Sequence, residues 1–345
     1  MPTPRTFSPI RTGLIGYGLG GLAFHAPLID AVPELELAAV ATSRTDQVHA
    51  RYPRVAVTTA ETLIADPGIA LVAISTPNDS HHPLARAALL AGKHVVIDKP
   101  FTNTVAEAEE LDALAKERGL VLSVFHNRRW DGDFLTVQKL LASGVLGEVV
   151  NAELRWDRFR PEVTAAWRDI PEAGSGILAD LGPHLIDQAL LLFGVPEALG
   201  ADIAVQRMDA RTDDYFEIIF SYGSRRVTLS AGRLFARARP RFSLHGTEAS
   251  FVKYGLDPQE PMMKAGGKPG EHVEDPALYG VITRGDGSEE TVPTPKGDYR
   301  AFYSGVAQAI TGGGEPPVTA ADAILGLRIM DLARQSSREG RRIDL

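Results

Sequence analysis

The chain has 345 residues, of which 44% are hydrophobic and 23% are charged, the composition of an ordinary globular protein. A chain of this length usually folds as two domains, each with its own hydrophobic core. Its formal net charge of −8 at pH 7 gives no diffuse basic field, so neither a nucleic acid nor a membrane is expected as a partner.

The sequence contains no cysteine, which excludes disulfides, thiolate metal ligands and a thiol nucleophile. The first residues, MPTPRTFSP, carry prolines and lack the apolar core of a secretion signal. No run reaches the roughly 18 unbroken apolar residues that a membrane-spanning helix requires. We therefore expect a cytoplasmic protein.

The first 125 residues alternate short apolar runs with amphipathic segments, a pattern typical of strand–helix units in a parallel sheet. The predicted strands are Thr12–Ile15, Leu35–Ala41, Val55–Val57, Ala70–Ser75, His94–Ile97 and Val121–Phe125. Thr104 and Glu107 have the spacing of a capping box, and Gly119 supplies a stop for the helix that follows them. The sequence predicts a doubly wound Rossmann domain over residues 1–125, within an α/β fold class.

A glycine-rich turn follows the first predicted strand. Gly16, Gly18 and Gly21 fit the G-x-G-x-x-G pattern between a strand and a helix, which is the setting that the motif requires. The first glycine permits a tight turn, the second lets the backbone approach a pyrophosphate, and the third permits close packing of the helix. We expect this loop, including Tyr17 and Gly20, to bind a dinucleotide.

The end of the second predicted strand indicates which dinucleotide is bound. An NAD enzyme usually carries an acidic residue here to bind the ribose hydroxyls, but this chain has Ser43 and Arg44. A serine can donate a hydrogen bond to a 2′-phosphate, and a guanidinium can pair with it. The pattern favours NADP over NAD; the alternative is that Arg44 is a solvated loop residue with Asp46 nearby.

Polar residues also follow the fourth and fifth predicted strands, whose carboxyl ends face the ligand crevice of such a sheet. They are Ser75, Thr76, Pro77 and Asn78, with His81 soon after, and Asp98, Lys99 and Pro100. A lysine at this edge can project toward a nicotinamide and hydrogen-bond a reacting oxygen. Lys99 is therefore a catalytic candidate, and the alternative is a salt bridge with Asp98.

Residues 126–345 have longer alternating segments and are predicted to form an α+β domain with a mostly antiparallel sheet. The predicted strands include Glu148–Trp156, Tyr215–Tyr222, Arg226–Ala231 and Arg241–His245. Residues 255–298 are rich in glycine, proline and charge, which predicts surface excursions with one hairpin instead of a core layer. A helix from about residue 320 to 338 could pack back onto the first domain.

One strongly apolar helical segment in this second half carries polar residues. Asp180, His184 and Asp187 follow i, i+4 and i+7 spacing, so they share one helix face, and Pro183 is tolerable if the helix begins near Leu178 to Asp180. An imidazole exchanges protons near neutral pH, and a nearby carboxylate can orient it. The alternative is a capping aspartate with a buried, hydrogen-bonded histidine.

Histidines are scattered along the chain, but the sequence has neither an H-E-x-x-H pattern nor cysteine ligands. We therefore expect no metal site, and hydride and proton transfer require none.

Taken together, these motifs resemble the Gfo/Idh/MocA family of dinucleotide-dependent oxidoreductases along nearly the whole chain. The resemblance rests on the glycine-rich segment continuing to Phe24-His25-Ala26-Pro27, on Ser75-Thr-Pro-Asn78, on Ala91-Gly-Lys-His-Val-Val-Ile-Asp-Lys99-Pro100, on His126-Asn-Arg-Arg-Trp-Asp131 and on the Asp180–His184 helix. One departure is Asp98, where the family usually has glutamate before Lys-Pro.

The resemblance implies a Rossmann domain followed by a large open sheet, with Lys99, Asp180 and His184 as the catalytic residues. It also implies cofactor contacts at Asn127, Trp167 and Arg168, in addition to those named above, and a sugar-binding rim that includes His126, Asn127, Arg128 and Asp157, although an exposed polar patch would look similar. The similarity is greatest to a branch that oxidises inositols with NADP, so a small polyol substrate is expected. An aldose dehydrogenase and a non-catalytic NADP-binding regulator are the alternatives. The exposed face of the sheet suits a homodimer or homotetramer.

Overall fold

The computed structural model describes residues 8–164, 169 and 174–345. The strands in this part of the chain are β1 (Ile10–Ile15), β2 (Leu35–Ala41), β3 (Ala56–Thr58), β4 (Leu71–Ile74), β5 (His94–Ile97), β6 (Leu122–Val124), β7 (Val149–Asp157), β8 (Ala198–Ala204), β9 (Tyr215–Tyr222), β10 (Arg225–Gly232), β11 (Phe242–Gly246), β12 (Ala249–Lys253), β13 (Gly280–Arg284), β14 (Glu289–Val292) and β15 (Ile343–Asp344).

The α-helices of the same described residues are α1 (Ala26–Ala31), α2 (Thr45–Arg51), α3 (Ala60–Ala65), α4 (His81–Leu90), α5 (Val105–Glu117), α6 (Gly132–Ser143), α7 (Ile177–Phe193), α8 (Gln259–Lys264), α9 (Arg300–Gly312) and α10 (Ala320–Glu339). A π-helical turn, Gly21–His25, leads directly into α1. Within the described residues, no helix is both long and apolar enough to cross a membrane.

The chain divides into two compact units. The first contains the described residues up to Asn127 together with Gln259–His272 and Asp298–Ile324. The second contains Arg128–Pro258, Val273–Gly297 and Leu325–Leu345, apart from the residues outside the description. The boundary at Ile324 falls inside α10, so this helix begins in one unit and continues in the other.

Among the described residues of the first unit, six parallel strands form a sheet in the order β3-β2-β1-β4-β5-β6. This order is that of a Rossmann sheet and confirms the prediction. All four residues of β4 are buried, which is typical of a strand covered on both faces. The capping box of α5 is present: the Glu107 amide donates to Thr104 Oγ1 at 3.2 Å, and the Thr104 amide donates to Glu107 Oε2 at 3.0 Å.

The second unit is built on a nine-stranded sheet, counted over the described residues, in the order β14-β13-β12-β11-β7-β10-β9-β8-β15. Neighbouring strands pair antiparallel except β7 and β10, which pair parallel. The predicted α/β fold with a second, mostly antiparallel sheet is therefore confirmed. The α7 helix packs against β7, β9 and β10.

The prediction that residues 255–298 form surface excursions instead of a core layer was wrong. The hairpin of β13 and β14 exists, but β13 pairs with β12 and thereby extends the sheet. The physical reason is that Ile282, at 2% exposure, faces the core and β13 satisfies the free edge of β12. Glycine and proline enrichment of residues 255–298 hid this short strand, and Gln259–His272 within that segment belongs to the first unit.

Candidate active site

The glycine-rich loop connects β1 to the helical stretch 19–31. Gly16 has φ +98°, and a Cβ there would lie 2.2 Å from the Ser75 carbonyl oxygen. A Cβ on Gly21 would lie 2.2 Å from the Gly16 carbonyl oxygen, so neither position can carry a side chain without a shift of the backbone. A Cβ on Gly18, in contrast, would meet no atom within 4 Å. The loop is closely packed at Gly16 and Gly21 and open at Gly18, which fits the close approach of a pyrophosphate.

The predicted 2′-phosphate residues lie beside this loop. Nη1 of Arg44 donates to the Tyr17 carbonyl at 3.2 Å, and the Arg44 amide donates to Thr42 Oγ1 at 3.2 Å. Ser43 and Arg44 are both exposed, whereas Tyr17 is buried. Burial raises the pKa of Tyr17 although the charge of Arg51 opposes this, so its phenol stays neutral. Arg44 is thus both exposed to solvent and in contact with the glycine-rich loop.

The polar ends of β4 and β5 are joined through Asp98. Its Oδ2 accepts a hydrogen bond from Ser75 Oγ at 3.1 Å, and its Oδ1 accepts one from the Lys99 amide at 2.8 Å. Burial alone raises the pKa of Asp98, but the contact with His25 and the charge of Lys99 act against it, and the pKa is held at about 2. Asp98 is therefore an anion throughout the physiological pH range.

His81 joins the same two strand ends. Its Nδ1 lies 2.9 Å from the Pro100 carbonyl oxygen and its Nε2 lies 3.0 Å from that of Thr76. The Lys99–Pro100 peptide bond is cis. Pro77 and Asn78 lead into a 3₁₀ turn, Asn78–Ser80, just before α4. The structure thus brings together the predicted residues of the first unit from Ser75 to Pro100.

His126 and Asn127 close the first unit after β6. Both are buried, at 5% and 6% exposure, and Asn127 begins a 3₁₀ turn that ends at Trp130. They are therefore not parts of an exposed polar patch, which was the alternative for the predicted sugar-binding rim. Trp167 and Arg168, which are predicted to contact the cofactor, lie outside the described residues.

In the second unit, α7 carries Asp180 and His184. Both are buried, at 4% and 5% exposure. The helix begins at Ile177, one residue before the earliest predicted start, and Pro183 lies inside it. Asp213 contacts the first turn of α7, because its Oδ2 accepts a hydrogen bond from the Leu178 amide at 2.7 Å. Asp213 thus serves this helix N-terminus, and no local sequence pattern identified it.

The Trp156 side chain forms a wall beside His184, with ring centroids 5.8 Å apart and an angle of 31° between the ring planes. The guanidinium carbons of Arg128 and Arg241 lie 4.7 and 5.3 Å from the Trp156 ring. Gln188 links the two arginines, since its Nε2 donates to the Arg128 carbonyl at 3.0 Å and its Oε1 accepts from Arg241 Nη2 at 2.6 Å. Arg128 is 5% exposed, so this predicted substrate residue is packed against the wall of the His184 site.

Two carboxylates of the second unit are held in bidentate ion pairs. Asp187 accepts from Arg129 at 2.9 Å (Nε to Oδ2) and 2.6 Å (Nη2 to Oδ1). Asp157, a predicted substrate residue, accepts from Arg239 at 2.6 and 2.9 Å. The two oxygens of each carboxylate face a guanidinium fork, which fixes their orientation. Among the described residues, no three His, Cys, Asp or Glu side chains are grouped as metal ligands.

This loop and sheet define a protein with a dinucleotide-binding Rossmann domain, and comparison with known proteins identifies its family. Residues 10–126 match the oxidoreductase family GFO_IDH_MocA, NAD-binding Rossmann fold, and residues 138–345 match the C-terminal α/β domain of the same family. The chain therefore belongs to the Gfo/Idh/MocA family of oxidoreductases.

The relatives cover nearly the full length. The oxidoreductase YdgJ of Escherichia coli is 50% identical over 95% of this chain and 96% of its own. The scyllo-inositol 2-dehydrogenase (NADP(+)) IolW of Bacillus subtilis is 41% identical over 99% of this chain and 97% of its own. The solved structure of the oxidoreductase yvaA of Bacillus subtilis superposes with a TM-score of 0.95 at 41% identity, covering 99% of both chains.

Proposed function

We propose that this protein is an NADP-dependent dehydrogenase that oxidises a secondary alcohol of a cyclic polyol, with scyllo-inositol and its 2-ketone as the substrate pair. The observation that carries the proposal is the contact of Arg44 with the glycine-rich loop, at a strand end that presents Ser43 and Arg44. The relative named as an NADP-dependent scyllo-inositol dehydrogenase supports both the cofactor and the substrate class.

In the first unit, the proposed role of the chain is to bind and orient the dinucleotide. The loop amides around Gly18 receive the pyrophosphate, and Ser43 and Arg44 receive the 2′-phosphate. When bound, NADP supplies a nicotinamide ring that takes up a hydride from the alcohol carbon. The residues proposed to surround it are Ser75, Thr76, Pro77, Asn78, His81, Asp98, Pro100, Asn127, Trp167 and Arg168.

Three side chains are proposed to act in the transfer of the alcohol proton. His184 accepts the hydroxyl proton, Lys99 donates a hydrogen bond to the same oxygen, and Asp180 orients the imidazole. The Trp156 ring lies beside the imidazole, with the two ring centroids 5.8 Å apart. His126, Arg128 and Asp157 are proposed to form the polar rim for the substrate, with Arg128 acting from its packed position against Trp156.

The first test is the initial rate of absorbance change at 340 nm with NADP or NAD and scyllo-inositol, myo-inositol, glucose or xylose. We expect activity mainly with NADP and an inositol. Turnover of an aldose instead would show that the substrate is an aldose and not an inositol. Tight NADP binding without turnover of any polyol would favour a regulator.

The mechanism is tested with Lys99→Met and His184→Ala. Each should lower kcat by about 100-fold or more with nearly unchanged NADP affinity, as expected for groups that act in proton transfer. The control is Lys139→Met, a change of the same kind on α6. Near-normal turnover in both site variants would contradict the assigned roles.

The cofactor preference is tested with Arg44→Ala. Loss of a phosphate contact should weaken NADP by about 10-fold or more and leave NAD almost unchanged, since charge-assisted hydrogen bonds contribute roughly 1.5–3 kcal/mol. Dissociation constants for both dinucleotides from fluorescence titration provide the measurement. Equal weakening of the two would contradict a 2′-phosphate site at Arg44.

A further inference from the structure

His25 lies on the inner side of the glycine-rich loop, at the end of the π-helical turn Gly21–His25. In this turn the Ala26 amide donates to the Gly21 carbonyl, which is one residue further back than in an α-helix. The His25 side chain is fully buried. A buried imidazole requires hydrogen-bond partners, and the structure places one group near each of its ring nitrogens.

The first of these groups is a tyrosine from a distant part of the chain. The hydroxyl of Tyr303, on α9, lies 2.6 Å from Nδ1 of His25. Tyr303 is fully buried, and burial, reinforced by the charge of Asp98, raises its pKa well above the ordinary value. Tyr303 therefore keeps its proton and can donate it in a hydrogen bond.

The second group is the Asp98 carboxylate. Nε2 of His25 lies 3.3 Å from Asp98 Oδ2, within ion-pair distance. A carboxylate can only accept, so the favourable arrangement has a proton on Nε2 of His25. A neutral imidazole protonated on Nε2 has an acceptor at Nδ1, which matches the donor that Tyr303 provides. One direction of donation thus fits both contacts of the imidazole, a hydrogen-bond distance to Tyr303 and an ion-pair distance to Asp98.

Aromatic packing holds this chain of contacts in place. The Phe125 ring lies 4.4 Å from the His25 ring, centroid to centroid, and the Phe302 ring lies edge-on to Phe125 at 5.0 Å. Above it, a Cβ on Gly20 would come within 2.7 Å of Asp98 Oδ2. The chain of contacts therefore lies directly beneath the loop that is proposed to bind the dinucleotide.

We propose that His25 and Tyr303 are positioning residues for Lys99: Tyr303 donates to His25, His25 Nε2 holds the Asp98 carboxylate at ion-pair distance, and Asp98 fixes the backbone amide of Lys99. The role of Lys99 rests on the proposed function, whereas the chain of contacts rests on the two hydrogen bonds at its ends and the 3.3 Å approach of His25 to Asp98 between them. Asp98 Oδ1 accepts the Lys99 amide at 2.8 Å. A carboxylate with a fixed position therefore also fixes the backbone from which the Lys99 side chain extends.

The kinetic test compares Tyr303→Phe, His25→Leu and His25→Gln. Tyr303→Phe keeps the ring and removes one donor, so kcat should fall about 3- to 10-fold; His25→Leu removes the donor to Asp98, so the fall should reach about 10- to 100-fold. His25→Gln retains an N–H group and should recover part of this loss. NADP affinity should change less than about threefold in all three variants. Tyr222→Phe is the matched control, because its hydroxyl donates instead to the Gly194 carbonyl.

The pH profile separates positioning from a general loss of stability. The groups that face Asp98 are His25, His81, Lys99 and Tyr303, with Ser75 as a neutral donor. Removing His25 leaves burial to raise the pKa of Asp98, so kcat of His25→Leu should fall at acid pH where the unsubstituted enzyme is still active. The double variant with His25→Leu and Asp98→Asn should not show this additional fall in kcat at acid pH. An unchanged pH profile, with losses in kcat no larger than that of Tyr222→Phe, would overturn the positioning role.

Nitrogen-15 NMR of the imidazole tests the chain without turnover. We expect His25 to be protonated on Nε2 in the unsubstituted protein and its Nδ1 signal to shift in Tyr303→Phe. An imidazole protonated only on Nδ1 would overturn the proposal even in an active enzyme. If the unsubstituted protein oxidised no polyol but showed the expected spectrum, the proposed function would fail and the hydrogen-bonded chain would stand.

Discussion

The first unit holds its candidate site residues mainly with the main chain, whereas the second holds its own with buried pairs of charged side chains. Gly16 and Gly21 leave no room for a Cβ, and His81 joins two backbone carbonyls. In the second unit, Arg207 and Arg241 are buried among carboxylates and amides. A backbone-built site is determined by local sequence, but a site built from paired charges depends on residues that only the fold brings together.

The largest expected effect concerns one of these buried pairs. Arg207 donates to Asp214 at 2.8 Å and to Asp169 at 2.6 Å, and the side chains of all three residues are almost fully buried. Burial raises the pKa of Asp169, but the contacts with Arg207 and Thr164 outweigh it and lower the pKa. Arg207→Met would leave two buried carboxylates without their cation, which should destabilise the second unit by about 3–5 kcal/mol.

Urea unfolding followed by tryptophan fluorescence measures this effect, because the three tryptophans all lie in the sequence of the second unit. The matched control is Arg284→Met, which breaks the exposed pair with Glu290 and should cost about 1 kcal/mol or less. Similar costs for the two variants would show that the buried pairs contribute no more to the stability of the second unit than an exposed pair does. Asp169 directly follows Arg168 in the chain, so the same variant should also weaken NADP binding if Arg168 contacts the cofactor.

The next effect tests the main-chain site. Gly16→Ala would combine a φ of +98° with a 2.2 Å approach to the Ser75 carbonyl oxygen, so the loop must move, at about 2 kcal/mol or more. Gly92→Ala is the control, because Gly92 has φ +75° and open space around its Cβ position; it should cost only the backbone term, about 1 kcal/mol. We expect NADP affinity, measured by titration, to fall at least 10-fold in the first variant. Equal NADP affinities in both would contradict the tight-loop interpretation.

The same difference explains what the sequence could predict. The six strands and the capping box of α5 follow local patterns, so the predicted strands of the first unit agree with the structure within a few residues. In the second unit the spacing of Asp180 and His184 was visible, but their surroundings were not. Trp156, Arg241 and Gln188 are far apart in the chain, and their contacts depend on the packing of α7 against the sheet.

The chain of contacts at His25 lies between these two cases. Its histidine belongs to a visible motif, Phe24-His25-Ala26-Pro27, but its partner Tyr303 is 278 positions away. No local pattern singles out Tyr303, because an apolar helix face that includes a tyrosine usually indicates ordinary core packing. Long-range side-chain contacts therefore limit sequence-based prediction in the first unit as well.

The smallest expected effect is a pH dependence of the first unit. His94, at the start of β5, is partly buried, and this burial lowers its pKa below 6.5. As the pH falls below the unfolded value, the unfolded chain binds a proton that the folded chain does not, so the stability contributed by neutral His94 is present at pH 7 and is lost on acidification. His94 Nδ1 also accepts the Val121 amide at 2.9 Å, which a proton on that nitrogen would prevent.

His94→Asn keeps an acceptor but cannot titrate, so protection of the Val121 amide from hydrogen exchange should depend less on pH between 7 and 5.5 than in the unsubstituted protein. Identical pH dependence in both proteins would show that titration of His94 is not coupled to opening of the β5–β6 edge.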